Sequence, residues 1–159
     1  AYHAGWAMFI GISVSRQHFD VQVPAGASIV VAVDGRIELA RLAGAIVAHT
    51  DDGHIAADDI TSPSLDLSSS DGWIEVRNLT TVAGGKYDVS TKDGHIKVAF
   101  AHGSDVTVDA STNDGSLRVD GVRYHGDDSV RQTIRIGSGG SAMRVHSDDG
   151  SITVTSESR

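Results

Sequence analysis

A unit that recurs six times along the chain carries an Asp-Gly pair in each copy: Asp34-Gly35, Asp52-Gly53, Asp71-Gly72, Asp93-Gly94, Asp114-Gly115 and Asp149-Gly150. A carboxylate at a fixed place in a repeated unit is a source of oxygen ligands, and neighbouring repeats could share a hard cation such as calcium. Calcium-binding repeats carry more glycine, in a GGxGxD pattern that is absent here. The pair also has a plainer use: Asp accepts hydrogen bonds from the N–H groups of its own turn, and Gly supplies positive φ. The turn reading is preferred, with no metal and no other cofactor expected.

Directly after the glycines stand Arg36, His54, Trp73, His95, Ser116 and Ser151. If the repeats stack, these form one outward file, in which His54, Trp73 and His95 could pack against sugar rings or a partner protein. The two histidines would then lie two repeats apart, about 9.6 Å at a strand spacing of about 4.8 Å. They are too far apart to share a metal at bonds of about 2 Å. The alternative for this file is an ordinary mixed surface. Three residues before the glycine stand Thr50, Ser69, Thr91, Thr112 and Ser147, read as a ladder of hydroxyls bonded to each other or to the turn backbone. An ice-ordering array is the other use, but it normally repeats Thr twice per coil.

Acidic pairs at Asp51-Asp52, Asp58-Asp59, Asp127-Asp128 and Asp148-Asp149 raise a glycosidase reading. That chemistry needs two carboxyls about 5 to 9.5 Å apart across a groove, whereas adjacent strand residues face opposite ways. No phosphate loop, serine elbow or HExxH is present. Binding or scaffolding is expected, with a polysaccharide hydrolase or lyase as runner-up.

The elements that would position these residues are strands. The units read VVAVDGRIEL, VAHTDDGHIAA, LDLSSSDGWIEV, YDVSTKDGHIKV, VDASTNDGSLRV and MRVHSDDGSITV, with glycines spaced 18, 19, 22, 21 and 35 residues apart. Apolar residues alternate on both sides of each glycine. Ile37, Ile55, Ile74, Ile96, Leu117 and Ile152 stand two after it, and Leu39, Ala57, Val76, Val98, Val119 and Val154 stand four after it. Before it come Ala48, Leu67, Val89, Ala110 and Val145, then Ile46, Leu65, Tyr87, Val108 and Met143. A period of two marks strands. Asp-Gly between such runs also signals a hairpin, so a meander fits as well. Column-by-column likeness favours stacked coils, because like residues then lie over like. The expectation is an all-β, single-stranded β-solenoid of about six to seven coils, with Val130 to Gly140 as the candidate extra coil and the first unit one residue out of frame.

Composition agrees. Hydrophobic residues make up 40% and aromatics 5%, so thin aliphatic layers must form the core. A net charge of −8 with 13 scattered basic residues argues against nucleic acid. The absence of cysteine removes disulfides and thiolate chemistry. No run of about 18 apolar residues is available to span a bilayer.

The segment FDVQVPAGASIVV (Phe19 to Val31) followed by serial T-x-D-G-x-I-x-V units resembles a bacterial adhesin-like family of β-strand-repeat domains of unknown function. The resemblance covers Phe19 to Val154. It implies a right-handed β-solenoid, an extracytoplasmic location and no established enzymatic activity, and it carries over no site residues. A glycan or another cell-envelope component is the expected partner class. Residues 1–20 are expected to form strands or a cap, and residues 21–159 the repeat domain. The final unit near Ile152 and Val154 shows no obvious plug, so either association of copies through this C-terminal coil or a natural cap or neighbouring domain outside this sequence is expected.

Overall fold

The computed structural model describes residues 23–24, 26–125 and 129–156. Its regular elements are all strands: β1 (Ile29–Ala32), β2 (Arg36–Ala40), β3 (Ile46–Phe100), β4 (Val106–Val119), β5 (Val122–Tyr124), β6 (Val130–Ile136) and β7 (Ala142–Ser156). The expected strands or cap over residues 1–20 lie outside the described residues.

The six Asp-Gly pairs of the repeat are corners in a parallel stack, whereas a seventh pair, Asp120-Gly121 at φ 46° and 83°, is a hairpin turn between Val119 and Val122. β1 lies along β3 with Ile29 beside Ile46 and Val31 beside Ala48. β2 continues with Ile37 beside Ile55 and Leu39 beside Ala57. Val31 stands four residues before Gly35, but its partner Ala48 stands five before Gly53, so the first unit is one residue out of frame as its sequence indicates. β3 holds three units that stack on one another, since a Cβ built on Gly72 would meet the Gly53 carbonyl and one on Gly94 the Gly72 carbonyl.

Beyond Gly94 the stacking order departs from the sequence order. β7 pairs in parallel with the third unit of β3, Val89 beside Val145 and Ile96 beside Ile152. Its other edge pairs in parallel with β4, Ala110 beside Val145 and Leu117 beside Ile152. The glycines therefore stack as Gly35, Gly53, Gly72, Gly94, Gly150, Gly115. The final unit of the sequence is an interior rung, and the open edge expected there for association of copies does not exist.

The outer edge of β4 is covered by antiparallel strands. β6 runs against it with Val106 beside Ile136 and Thr112 beside Val130, and β5 with Leu117 beside Tyr124. The segment Val130 to Gly140 is thus a cover and not a seventh coil. Its strand carries no Asp-Gly corner and runs in the wrong direction to propagate the stack.

All four apolar columns face one core, with Ile46, Ile55, Leu67, Ile74, Val89, Ile96, Leu117, Val145 and Ile152 at 0 to 1% exposure. Each such side chain contributes about 1.5 to 3 kcal/mol before chain entropy is subtracted. A second corner falls six residues after the glycine, where Arg41, Asp59 and Asn78 each adopt φ 53°. Leu42, Ile60 and Leu79 follow and add a fifth inner column.

Glycine is required at the Asp-Gly corner by close approach more than by φ. Gly53, Gly72 and Gly115 are not at positive φ, yet a Cβ on Gly72 would lie 2.0 Å from the Gly53 carbonyl oxygen and one on Gly115 1.8 Å from that of Gly150. The Ser and Thr file is buried beside it. Thr50 Oγ1 donates to the Gly35 carbonyl at 3.0 Å and accepts from the Gly35 N–H at 3.1 Å. Thr91 and Thr112 bond more loosely to the rung before them in the stack, at the Ser70 and Asp148 carbonyls. Ser69 and Ser147 have no partner among the described residues. In stacking order the file reads Thr50, Ser69, Thr91, Ser147, Thr112, an alternation that sequence order hides.

Two predictions follow from the corner. Gly72→Ala should lower stability by on the order of 1 to 3 kcal/mol through overpacking against backbone, whereas Gly26→Ala, with open space around it, should stay near wild type in urea unfolding. Thr50→Val should cost about 1 to 3 kcal/mol by stranding the Gly35 groups, and Ser147→Ala should be neutral or slightly stabilising in the same assay.

Candidate functional site

Residues two and four after the glycine point inward, so those one and three after it point outward. The first outward file runs Arg36, His54, Trp73, His95, Ser151, Ser116. Arg36 registers with His54, and Ser151 lies between His95 and Ser116. The His54 and Trp73 rings have centroids 5.2 Å apart at 46°, within the range of favourable tilted aromatic pairs. Trp73 keeps 48% of its surface exposed. His95 Nδ1 lies 2.6 Å from Ser151 Oγ, a neighbour supplied by the out-of-order rung. Trp73 separates the two histidines, and among the described residues no group of three His, Asp or Glu is placed to hold a metal ion.

The adjoining file, three after the glycine, carries Glu38, Glu75, Lys97 and Arg118. Lys97 Nζ lies 3.3 Å from Glu75 Oε1, and Arg77 Nη2 lies 3.9 Å from Glu75 Oε2. Only 15% of the Glu75 side chain is exposed, so it is the fixed member of the set. An open aromatic face beside oriented charges can stack on the apolar face of a sugar and bond its hydroxyls.

The Asp column lies along the corner edge, with Asp149 in register with both Asp93 and Asp114. Among the described residues these carboxyls accept no hydrogen bond from their own turn. The corner N–H groups serve the stack instead, as His54 N does in donating to the Gly35 carbonyl at 3.3 Å. Desolvation raises the Asp71 carboxyl above its ordinary value, followed by hydrogen bonding to and repulsion from Asp93 and repulsion from Asp52, with Lys92 opposing. Asp149 is raised by desolvation, then by repulsion from Asp93 and Asp114.

The face before the corner carries a file that the sequence reading passed over: Asp66, Asp88, Arg144 and Asp109, each six residues before its glycine. Aligning outward as well as inward columns would have found it. With Lys86, Thr107 and Thr133 these residues line an open depression of about 560 Å³. Burial, then Asp66, raises Asp88 above the ordinary carboxylate range, against the pull of Arg144 and His146. Arg131 binds Asp109 through two nitrogens and holds it below that range.

Two Ser-His-Asp relays sit on this same face. Ser68 Oγ, His49 and Asp51 are linked at 2.9 and 3.3 Å, and Ser111 Oγ, His146 and Asp148 at 3.0 and 3.1 Å. Acyl transfer also needs N–H donors aimed at a developing oxyanion. The backbone beside Ser111 is engaged on both edges, by β7 and by β6. The relays bind neighbouring rungs or neighbouring strand residues together.

Stacked parallel units with outward files of mixed side chains define a solenoid-like, all-β fold. The chain belongs to the Toastrack DUF4097 family, a domain of unknown function, which it matches over residues 32–155. Its fold is similar to the crystal structure of a "putative cell adhesion protein" from Clostridium sporogenes, with a TM-score of 0.56 and 13% identity. That likeness covers 84% of this chain and 57% of the other, so the chain spans little more than half the length of that protein. No curated protein matches the chain significantly. Among the described residues no helix is long and apolar enough to cross a membrane.

The acidic column sets the sign of the pH response. A carboxyl raised in the folded state is penalised when ionised, so its penalty is fully present above the raised folded value and is relieved as pH falls through it towards the unfolded value of about 4. Asp109 acts oppositely, its contribution being lost only below that range. The melting temperature should therefore rise on mild acidification from neutral pH and with added salt. Asp71→Asn should raise it at neutral pH and flatten the profile; a wild type that loses stability steadily from neutral pH downward would contradict this.

Proposed function

We propose that this chain is a non-enzymatic adhesion or binding module of the extracytoplasmic cell envelope, built as a right-handed β-solenoid of six coils. Its ligand is a glycan or another envelope component, met by the file of His54, Trp73 and His95. The observation that carries the reading is Trp73, a large aromatic half exposed on a flat face, paired with His54 and bordered by the Glu75 and Lys97 ion pair. Membership of the Toastrack family and the likeness to the clostridial protein support a surface role. The net charge of −8 speaks against nucleic acid.

A second reading, a polysaccharide hydrolase or lyase, is favoured by the depression holding Asp66, Asp88 and Asp109. Its carboxyls are pushed in opposite directions, as acid and base roles require. Glycan-array binding followed by calorimetry separates the two. The module reading expects a saccharide whose affinity falls roughly tenfold or more in Trp73→Ala, the loss of one stacking platform, with no change in Asp88→Asn. Turnover of a polysaccharide that disappears in Asp88→Asn would establish the enzyme instead.

A further inference from the structure

We propose that the slot between the Gly94 and Gly115 rungs, filled here by the chain's own β7, also accepts β7 of a second copy, so that two chains pair by exchanging this strand. β3 and β4 are consecutive in sequence, yet they are separated in the stack by β7, which is parallel to both. Without β7 both facing edges would be open, presenting unpaired N–H and C=O groups and half-filled apolar columns. The slot is selective. It needs a strand with apolar side chains where Val145 and Ile152 stand and a glycine at the corner, because a Cβ on Gly150 would lie 1.8 Å from the Gly94 carbonyl oxygen.

The connection that delivers β7 is short. Ile136 ends β6 beside Val106 on one edge of β4, and Ala142 begins β7 beside Thr107 on the opposite edge. The five residues 137–141 pass around Asp105 between these points. Asp105 Oδ1 accepts from the Ser138 N–H at 2.7 Å, and the Asp105 carbonyl accepts from Ser141 Oγ at 2.6 Å. A short connection that must wrap a neighbouring strand is the kind that invites exchange. An exchanged dimer would reproduce every β7 contact and alter only residues 137–141. The slot also stands open in any chain whose β3 and β4 have formed before β7 arrives, so concentration decides which copy fills it.

The chain has no cysteine, which makes the test clean. Ser111→Cys and His146→Cys are introduced into separate full-length chains, at side chains that touch in the structure. Equal amounts are unfolded together, refolded at tens of micromolar (on the order of 10⁻⁵ M) and oxidised. Within one chain neither cysteine has a partner, so a disulfide between the two chains in excess of the control pair requires exchange. We expect a covalent dimer from this pair, and a several-fold smaller crosslinked fraction after roughly tenfold dilution before refolding. A flexible insertion after Gly139 that relaxes the connection should reduce it as well. The control pairs Ser111→Cys with Thr153→Cys, which registers with Lys97 and Arg118 instead. Equal crosslinking in the control, or monomers alone from variants whose circular dichroism matches wild type, would overturn the proposal.

Discussion

Rungs in this protein pass one another at the Asp-Gly corner so closely that a single added methyl on Gly72, Gly94 or Gly150 would fall 1.8 to 2.0 Å from a neighbouring carbonyl oxygen. That contact fixes the register of every unit on the next. Once the glycines are superposed, each column of the repeat meets itself at one strand spacing, about 4.8 Å. Isoleucine then lies on isoleucine and the core closes. Threonine reaches the carbonyl of the rung before it. By the same rule carboxylates are brought over carboxylates, and the acidic corner edge is a penalty that follows from keeping the register.

In-register stacking also makes the outer faces what they are. Residues remote in sequence become neighbours in a file, so a surface is composed by choosing one residue per rung. His54 and Trp73 come together this way, as do Asp88 and Arg144. Neither face depends on a loop, and each is held by backbone ladders on both sides of the interior rungs. Such surfaces are rigid and shallow, which suits recognition of an extended ligand better than enclosure of a small one.

The position of β7 shows that parallel stacking does not require sequence order. A rung is accepted wherever both its edges find matching columns, and the unit around Gly150 fits between those around Gly94 and Gly115. The antiparallel β5 and β6 then cover the far edge of β4, an edge that would otherwise template further strands.

The sequence by itself determined which side chains on either side of the Asp-Gly corner are buried. The period of two about each glycine named the inner columns, and Ile37 through Ile152 lie in the core because alternation on a strand leaves no other choice of face. It also determined that Arg36, His54, Trp73 and His95 share an outward file. It could not reveal the second corner, since Arg41, Asp59 and Asn78 adopt φ 53° without the glycine that would have announced it. Nor could it decide which unit lies on which. The six units are alike in pattern, so any of them satisfies a neighbour's columns about equally well in sequence terms. Only the tertiary structure, through the reach of the 101–105 and 137–141 connections and the fit of Val145 and Ile152 on both sides, decided that the last unit lies inside the stack. That decision put Ser151 beside His95, put Arg144 between Asp88 and Asp109, and left the edge of β4 for β5 and β6 to cover.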